Sequence, residues 1–484
     1  MTEIISLEPA VKKIIADTET PLSVYLKLAN KKNTFLLESV EGGEKWGRYS
    51  IIGLPSKKII VVKGSSFKIM ENGLTIKSVN TDDPLKLVEE YKKYFIACNT
   101  EKLPRFCGGL VGYFSFDTIR YTEKKLNYKN NKSNLDTPDI LLLFVDNFVV
   151  FDNLKNELTI VKYFKQNDIE ARTESEKLVE EISLTLKNKA NITPNYDKIS
   201  QKHLNVNSEF KKEKFLEAVN QVKSYINEGD AMQVVLSQRF WTEFDNEPIS
   251  LYRALRHLNP SPYLFYFNFG DFHVVGSSPE ILVRFEDGKV TTRPLAGTRP
   301  RGKDEAQDKA LEIELLNDPK ELAEHLMLID LGRNDIGKIC VTGSVRVTEK
   351  MIIERFSHVM HISSNVEGVL KEDQNVFDIL RATLPVGTLS GAPKIRAIEI
   401  IDELEPSTRG IYGGAVGYIT WTGEMDTAIA IRTGIIKNKK LYVQAGCGIV
   451  ADSKAESEWE ETVNKGKAVF HAAKLAMNCL KLNA

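Results

Sequence analysis

Runs of β-branched and aromatic residues recur along the chain, separated by tight polar turns, while helical spacing comes in blocks and not after every run. That order constrains the fold more than any single motif does. Neighbouring parallel strands need a crossover of a dozen or more residues, usually a helix, whereas antiparallel strands need only a turn. Strands are predicted at Ile59–Lys63, Leu141–Asp152, Leu158–Tyr163, Met232–Phe240, Pro262–Phe269, His273–Gly276, Ile281–Phe285, Val359–Val366, Gly413–Trp421, Ala428–Ile436 and Leu441–Gly446. Helices are predicted at Asp82–Phe95, Ala171–Leu186 and Lys211–Ile226, as a pair between Asp304 and Leu331, and at the C-terminal end. The pattern predicts an α+β chain with largely antiparallel sheets, not a βαβ array.

The 484 residues exceed what one ordinary domain needs, at roughly 150 residues per domain. Residues 187–208 string Asn, Lys, Pro and Asp together without periodicity and read as a linker between regions 1–186 and 209–484. Lys+Arg (65) nearly equal Asp+Glu (66), so the net charge of −1 argues against a nucleic-acid or membrane-surface protein. Five scattered cysteines make neither a disulfide framework nor a zinc site, and the first residues lack the order of a secretory signal. A cytoplasmic enzyme is expected.

Two helix starts carry carboxylates. Asp318-Pro319-Lys320-Glu321 has an N-cap acid, proline at the first helical position and Glu three residues after the cap. From there Leu322, Leu326 and Ile329 are expected to form a core stripe. Glu324 shares its face with Leu328 and Leu331, and a carboxylate in apolar company requires a cation or a strong donor. Ser453-Lys454-Ala455-Glu456 reads as a capping box, followed by Glu458, Glu461 and Lys465 on one side of the last helix. Taken alone, each acidic face also suits a solvated surface. Two carboxylates from different helices suit Mg²⁺, which completes its shell with water and substrate. Glycines mixed with hydroxyls at Pro294–Gly302, Gly387–Lys394 and Ala445–Gly448 allow close backbone approach to an anion, and Arg432, expected in a strand, can fork a carboxylate. No P-loop or dinucleotide fingerprint is present.

Several long motifs occur in order: Leu36-Leu37-Glu38-Ser39 continuing to Gly47-Arg48-Tyr49-Ser50, Pro294–Gly302, Lys320-Glu321-Leu322-Ala323-Glu324-His325, Asp330–Asp335, Gly387–Lys394 and Glu458-Trp459-Glu460-Glu461-Thr462. With these the chain resembles the anthranilate synthase component I family over nearly its whole length. The resemblance implies antiparallel sheets packed as a sandwich with helices outside. It implies Mg²⁺-dependent amination of chorismate at C2 with loss of the C4 hydroxyl, then elimination of pyruvate to give anthranilate, the first step of L-tryptophan biosynthesis. By position, Glu324 and Glu461 resemble the metal carboxylates, with Glu321 and Glu458 behind them. Gly297, Thr298, Tyr412, Arg432, Gly446, Cys447 and Gly448 resemble chorismate-binding positions, and His361 and Thr388 the catalytic pair.

Two positions separate relatives. Water-using isochorismate synthases resemble this family with a lysine base where this chain has Gln233, and ammonia needs no such base. Aminodeoxychorismate synthases carry a nucleophilic lysine where this chain has Ala296. That component is the alternative enzyme, and a silent tryptophan-sensing subunit the alternative of another class. Glu38, Ser39, Pro262, Tyr263 and Leu264 resemble the tryptophan feedback site. The chain has no glutaminase-type cysteine elbow. A glutamine amidotransferase partner in a hetero-oligomer is therefore expected to supply ammonia.

Overall fold

The computed structural model describes residues 4–39, 47–126, 135–187, 204–356, 359–478 and 480. Most of the expected linker, 188–203, lies outside the described residues, as does His358. Two large sheets pack face to face, one of 13 strands and one of 12 among the described residues. Every pairing is antiparallel except that of Ile5–Ile15 with Phe95–Ala97. The α+β sandwich expected from the sequence is present.

Strands before residue 166 and strands after residue 206 contribute to both sheets. In the first sheet they meet where Thr34–Glu38 pairs with Tyr263–Asn268, Leu264 opposite Glu38. In the second they meet where Gly109–Phe114 pairs with Ala415–Thr420, Gly112 opposite Gly417. Between the sheets lies a continuous apolar cluster that includes Phe35, Phe106, Phe148, Phe265 and Phe267. A second cluster joins the outer face of the first sheet to helices Pro21–Leu28, Ile169–Lys187, Pro248–Leu258 and Ala455–Met477. No described helix is long and apolar enough to cross a membrane.

Four local expectations are corrected. Leu141–Asp152 is two strands, Ile140–Val145 and Asn147–Asp152, which lie in different sheets. A continuous apolar run does not reveal such a crossing, because both strands are buried. Ala428–Ile436 is likewise split into Met425–Ile429 and Thr433–Lys437, and Arg432 sits between them at φ 50°, outside any strand. Leu326 is exposed, and His325, Leu328 and Ile329 form the buried side of its helix instead. The last helix starts from Lys454 without a side-chain cap, while Ser453 Oγ accepts from Val450 N at 3.0 Å.

Phe35 holds the seam of the first sheet. Its ring lies 6.5 Å from that of Phe106 and 5.9 Å from that of Phe267, over Gly53, where a Cβ would come within 2.0 Å of it. Phe35→Ala is predicted to destabilise the protein by about 3–5 kcal/mol, the usual range for emptying an aromatic core site. Thermal melting checks this, and an unchanged midpoint would contradict the packing described.

Candidate active site and a second cavity

Two crossings of the chain from one sheet to the other bring charge into the interior. At Pro279–Glu280 the chain leaves strand Phe272–Ser278 of the first sheet for Ile281–Glu286 of the second. At Arg432 it returns from Met425–Ile429 to Thr433–Lys437. The crossings are tied together, Ile429 N donating to Glu280 O at 3.0 Å and Ser277 N to Arg432 O at 3.2 Å. Beside them opens a cavity of about 1010 Å³. Its lining includes Gln233, Gly297, Thr298, Glu321, Glu324, His361, Thr388, Tyr412, Arg432, Gly446, Gly448, Glu458 and Glu461.

One wall is acidic. Asp318 caps helix Pro319–Gly337 by accepting from Lys320 N (3.0 Å) and Glu321 N (3.3 Å), and Arg299 holds this start through Asp318 (2.8 Å) and Glu321 (3.3 Å). Glu324, one turn on, accepts from Gln233 Nε2 at 3.1 Å. The last helix adds Glu458, which is buried, and Glu461, which pairs with Lys465 at 2.7 Å. Burial raises the carboxyl pKa of Glu321, and the charge of Glu324 raises it further. Burial and the charge of Glu461 do the same to Glu458. Like charges held this close favour a cation between them. Among the described residues no three His, Cys, Asp or Glu side chains converge to hold a metal by themselves. An oxygen-only set that offers two carboxylates and leaves positions for substrate and water fits Mg²⁺.

Elsewhere the lining is cationic. Arg432 is half-buried, no carboxylate among the described residues pairs with it, and burial alone pushes its guanidinium pKa down. A buried guanidinium of this kind calls for an anion, and its fork suits a carboxylate. Gly446 and Gly448 share the cavity face of strand Lys440–Ile449. A Cβ at Gly448 would strike Gln233 Nε2 at 2.3 Å, and one at Gly446 would meet the Tyr412 hydroxyl at 2.9 Å. Cys447, expected with them at the substrate, does not line the cavity. Strand alternation turns its thiol toward an apolar cluster with Val234 and Leu236, where it also meets the carboxyl of Glu458.

His361 Nδ1 lies 3.0 Å from Gly297 O and 3.1 Å from Thr298 Oγ1. Gly297 reaches this position through a bulge in its strand and a φ of 66°. Burial lowers the imidazole pKa to about 4, so the ring is neutral at pH 7. A neutral ring that donates from Nδ1 to the carbonyl keeps Nε2 as a base. Thr388 Oγ1 donates to Glu280 Oε1 at 3.0 Å. Glu280 was missed by motif reading. It is buried, and burial pushes its pKa up to about 8, so it carries a proton at pH 7. The signal available was a lone acid between the apolar runs Val274–Val275 and Ile281–Val283. Behind the site, Arg409 forms a fully buried pair with Glu405 and donates to Val235 O at 2.6 Å and to Leu389 O, which fixes the Thr388 turn against strand Gln233–Glu243.

Glu38, Ser39, Pro262, Tyr263 and Leu264 all border a second cavity, of about 320 Å³, between the sheets at the seam of the first sheet. The side chains of Glu38 and Leu264 belong to the other face. Glu38 accepts from Tyr252 Oη and from Arg256 Nε (2.9 Å), and Leu264 joins the helix-covered cluster. Paired residues of neighbouring strands share a face, so the two turn away together. Arg105, also missed, lies 3.1 Å from Glu286 and 3.4 Å from Asp426, and its Nη2 has no hydrogen-bond partner among the described residues. Tyr263 Oη donates to Asp426 at 3.0 Å.

The profile of the chorismate binding enzymes matches residues 35–471. The chain is 54% identical over 472 residues to anthranilate synthase component 1 of Pseudomonas putida, covering 97% of this chain and 95% of that protein. It is 49% identical to the same component of Aquifex aeolicus, covering 98% and 96%. The crystal structure of anthranilate synthase component I from Streptococcus pneumoniae superposes with a TM-score of 0.79 at 37% identity, covering 95% of this chain and 99% of that one. The menaquinone-specific isochorismate synthase of Escherichia coli shares the fold, with a TM-score of 0.71 at 20% identity over 97% and 96% of the two chains. The chain belongs to the chorismate binding enzymes and, within them, to the anthranilate synthase component 1 family.

Proposed function

We propose that the chain converts chorismate and ammonia to anthranilate and pyruvate, as the large subunit beside a glutamine amidotransferase, in the cytoplasm, under feedback by L-tryptophan. The observation that carries this reading is one cavity lined by carboxylates from two helices and by Arg432, with which no carboxylate among the described residues pairs. A substrate with two carboxylates suits both. Mg²⁺ held by Glu324 and Glu461, with Glu321 and Glu458 behind them, would supply positive charge for the ring carboxylate and Lewis-acid support as the hydroxyl leaves.

Arg432 and the backbone around Gly446 and Gly448 bind the enolpyruvyl carboxylate and orient the ring. Gln233 Oε1 is buried without a hydrogen-bond partner among the described residues and offers ammonia an acceptor near Glu324. Glu280, protonated and steadied by Thr388, donates its proton to the departing C4 oxygen, so water leaves instead of hydroxide. His361 Nε2 then takes the C2 proton as the C3–O bond breaks, its electron pair stays on the enolpyruvate oxygen, the ring becomes aromatic, and the proton His361 gives up completes pyruvate. Gln233 in place of a lysine base favours ammonia over water as the nucleophile, and Ala296 in place of a lysine nucleophile favours anthranilate over the aminodeoxychorismate alternative. In the second cavity Arg105 Nη2 suits an amino-acid carboxylate, and Pro262 and Tyr263 an indole. Cys98, Cys107, Cys340 and Cys447 are free thiols, which suits a reducing compartment.

The isolated chain should form anthranilate, read by its fluorescence, from chorismate, ammonium and Mg²⁺ but not when glutamine replaces ammonium, and L-tryptophan should slow it. Glutamine-driven turnover by the single chain would refute the partner assignment. Glu324→Gln and Glu461→Gln should each lower kcat by about a hundredfold or more at fixed Mg²⁺, through loss of a charge-neutralising ligand. Wild-type rates in both would remove the metal assignment. At constant free ammonia, kcat should fall as pH rises through about 8, where Glu280 loses its proton. Glu280→Gln should abolish that alkaline limb along with most turnover, and a limb that persists in the variant would rule out Glu280 as the acid.

A further inference from the structure

Glu280 borders two cavities. One is the large cavity above, and the other is a small one of about 20 Å³ on its far side, lined also by Thr292, Gly332, Asp335 and Thr388. A space of this size holds one water, which needs roughly 10–15 Å³ and two to four polar partners. Thr292 points to such an occupant. Its residue is 8% exposed, and its Oγ1 has no hydrogen-bond partner among the described residues. A buried hydroxyl is rarely left unmet, and a water in the small cavity meets it. Glu280 and Thr388, joined by their own hydrogen bond, line the same space. On the far side Asp335 is held by Lys394 at 2.7 Å and lies 3.5 Å from Lys338, whose side chain is 64% exposed, so that side leads outward.

Gly332 explains how the space stays open. It lies within helix Pro319–Gly337, where alanine is the better helix former. A Cβ there would come 3.1 Å from Thr292 Oγ1 and 4.0 Å from Val366 Cγ2, with no backbone in its way. A methyl group therefore fits the helix but enters the space beside Thr292.

We propose that the small cavity holds one internal water that returns a proton to Glu280 after each turnover, with Thr292 as its positioning residue and Gly332 kept small to admit it. This rests on the reading that Glu280 protonates the departing hydroxyl. In that step the C4–O bond breaks, its electron pair stays on oxygen, and the Glu280 proton completes the leaving water. The new C2–N bond leaves one surplus proton on nitrogen, which passes to solvent. The internal water passes a proton to the Glu280 carboxylate as it takes one from bulk solvent on the Asp335 side, so no hydroxide is left in the cavity. One proton is shed and one regained, so the cycle balances.

The test compares kcat, KM for chorismate and the solvent deuterium isotope effect in the wild type, Thr292→Val, Thr292→Ser and Gly332→Ala, with ammonium and Mg²⁺. The valine and alanine variants should lose about tenfold or more in kcat, at the low side of what a proton relay contributes. Both should keep KM within about twofold and show a larger isotope effect, and the serine variant should recover the wild-type values. Unchanged kcat, or a fall without any change in isotope effect, overturns the water route. Should Thr292→Val not fold, Gly332→Ala decides by the same readouts. A wild type that makes no anthranilate overturns the functional reading together with this one, whereas an active wild type with indifferent variants overturns the water route alone.

Discussion

Repulsion between carboxylates is the constraint around which the rest of the site is arranged. Glutamates from two helices separated by more than a hundred residues line the cavity, and two of them, Glu321 and Glu458, have their pKa raised by burial and by a neighbouring acid of the same helix. Left alone, that crowding would hold protons on them. The protein supplies partial relief from Arg299 at Glu321, Gln233 at Glu324 and Lys465 at Glu461. These partners hold the acids in place without neutralising the wall, which suits a divalent cation and a dianionic substrate.

The sandwich supplies the rigidity this needs. Glu280 and Arg432, the protonated acid and the cation that no described carboxylate pairs with, both lie where the chain steps from one sheet to the other, and backbone hydrogen bonds lock the two steps together. Arg432 takes a left-handed φ of 50°, a conformation that costs energy outside glycine and asparagine and persists where the surrounding structure imposes it. The second cavity lies at another junction, the seam between early and late strands, so a ligand there bears on both lengths of chain at once.

Much of the antiparallel framework was legible in the sequence, because turns and period-two runs are local signals. Asp318-Pro319 set its helix start as read, since capping is also local. The sheet crossings were not legible. Leu141–Asp152 and Ala428–Ile436 are each one apolar run on paper, and only tertiary pairing divides them. Glu280 was hidden for the same reason, its neighbours giving no periodic cue, whereas Glu321, Glu324, Glu458 and Glu461 stood out through helix grammar and motif resemblance. Cys447 shows the limit of motif transfer: a position can match a binding segment while alternation turns its side chain to the other face.

The most direct test of the account is electron paramagnetic resonance of Mn²⁺, used in place of Mg²⁺, titrated into the protein with a chorismate-like dicarboxylate. The account predicts one tightly bound ion in the wild type, with binding lost in both Glu324→Gln and Glu461→Gln. An ion held equally well by both variants would contradict it.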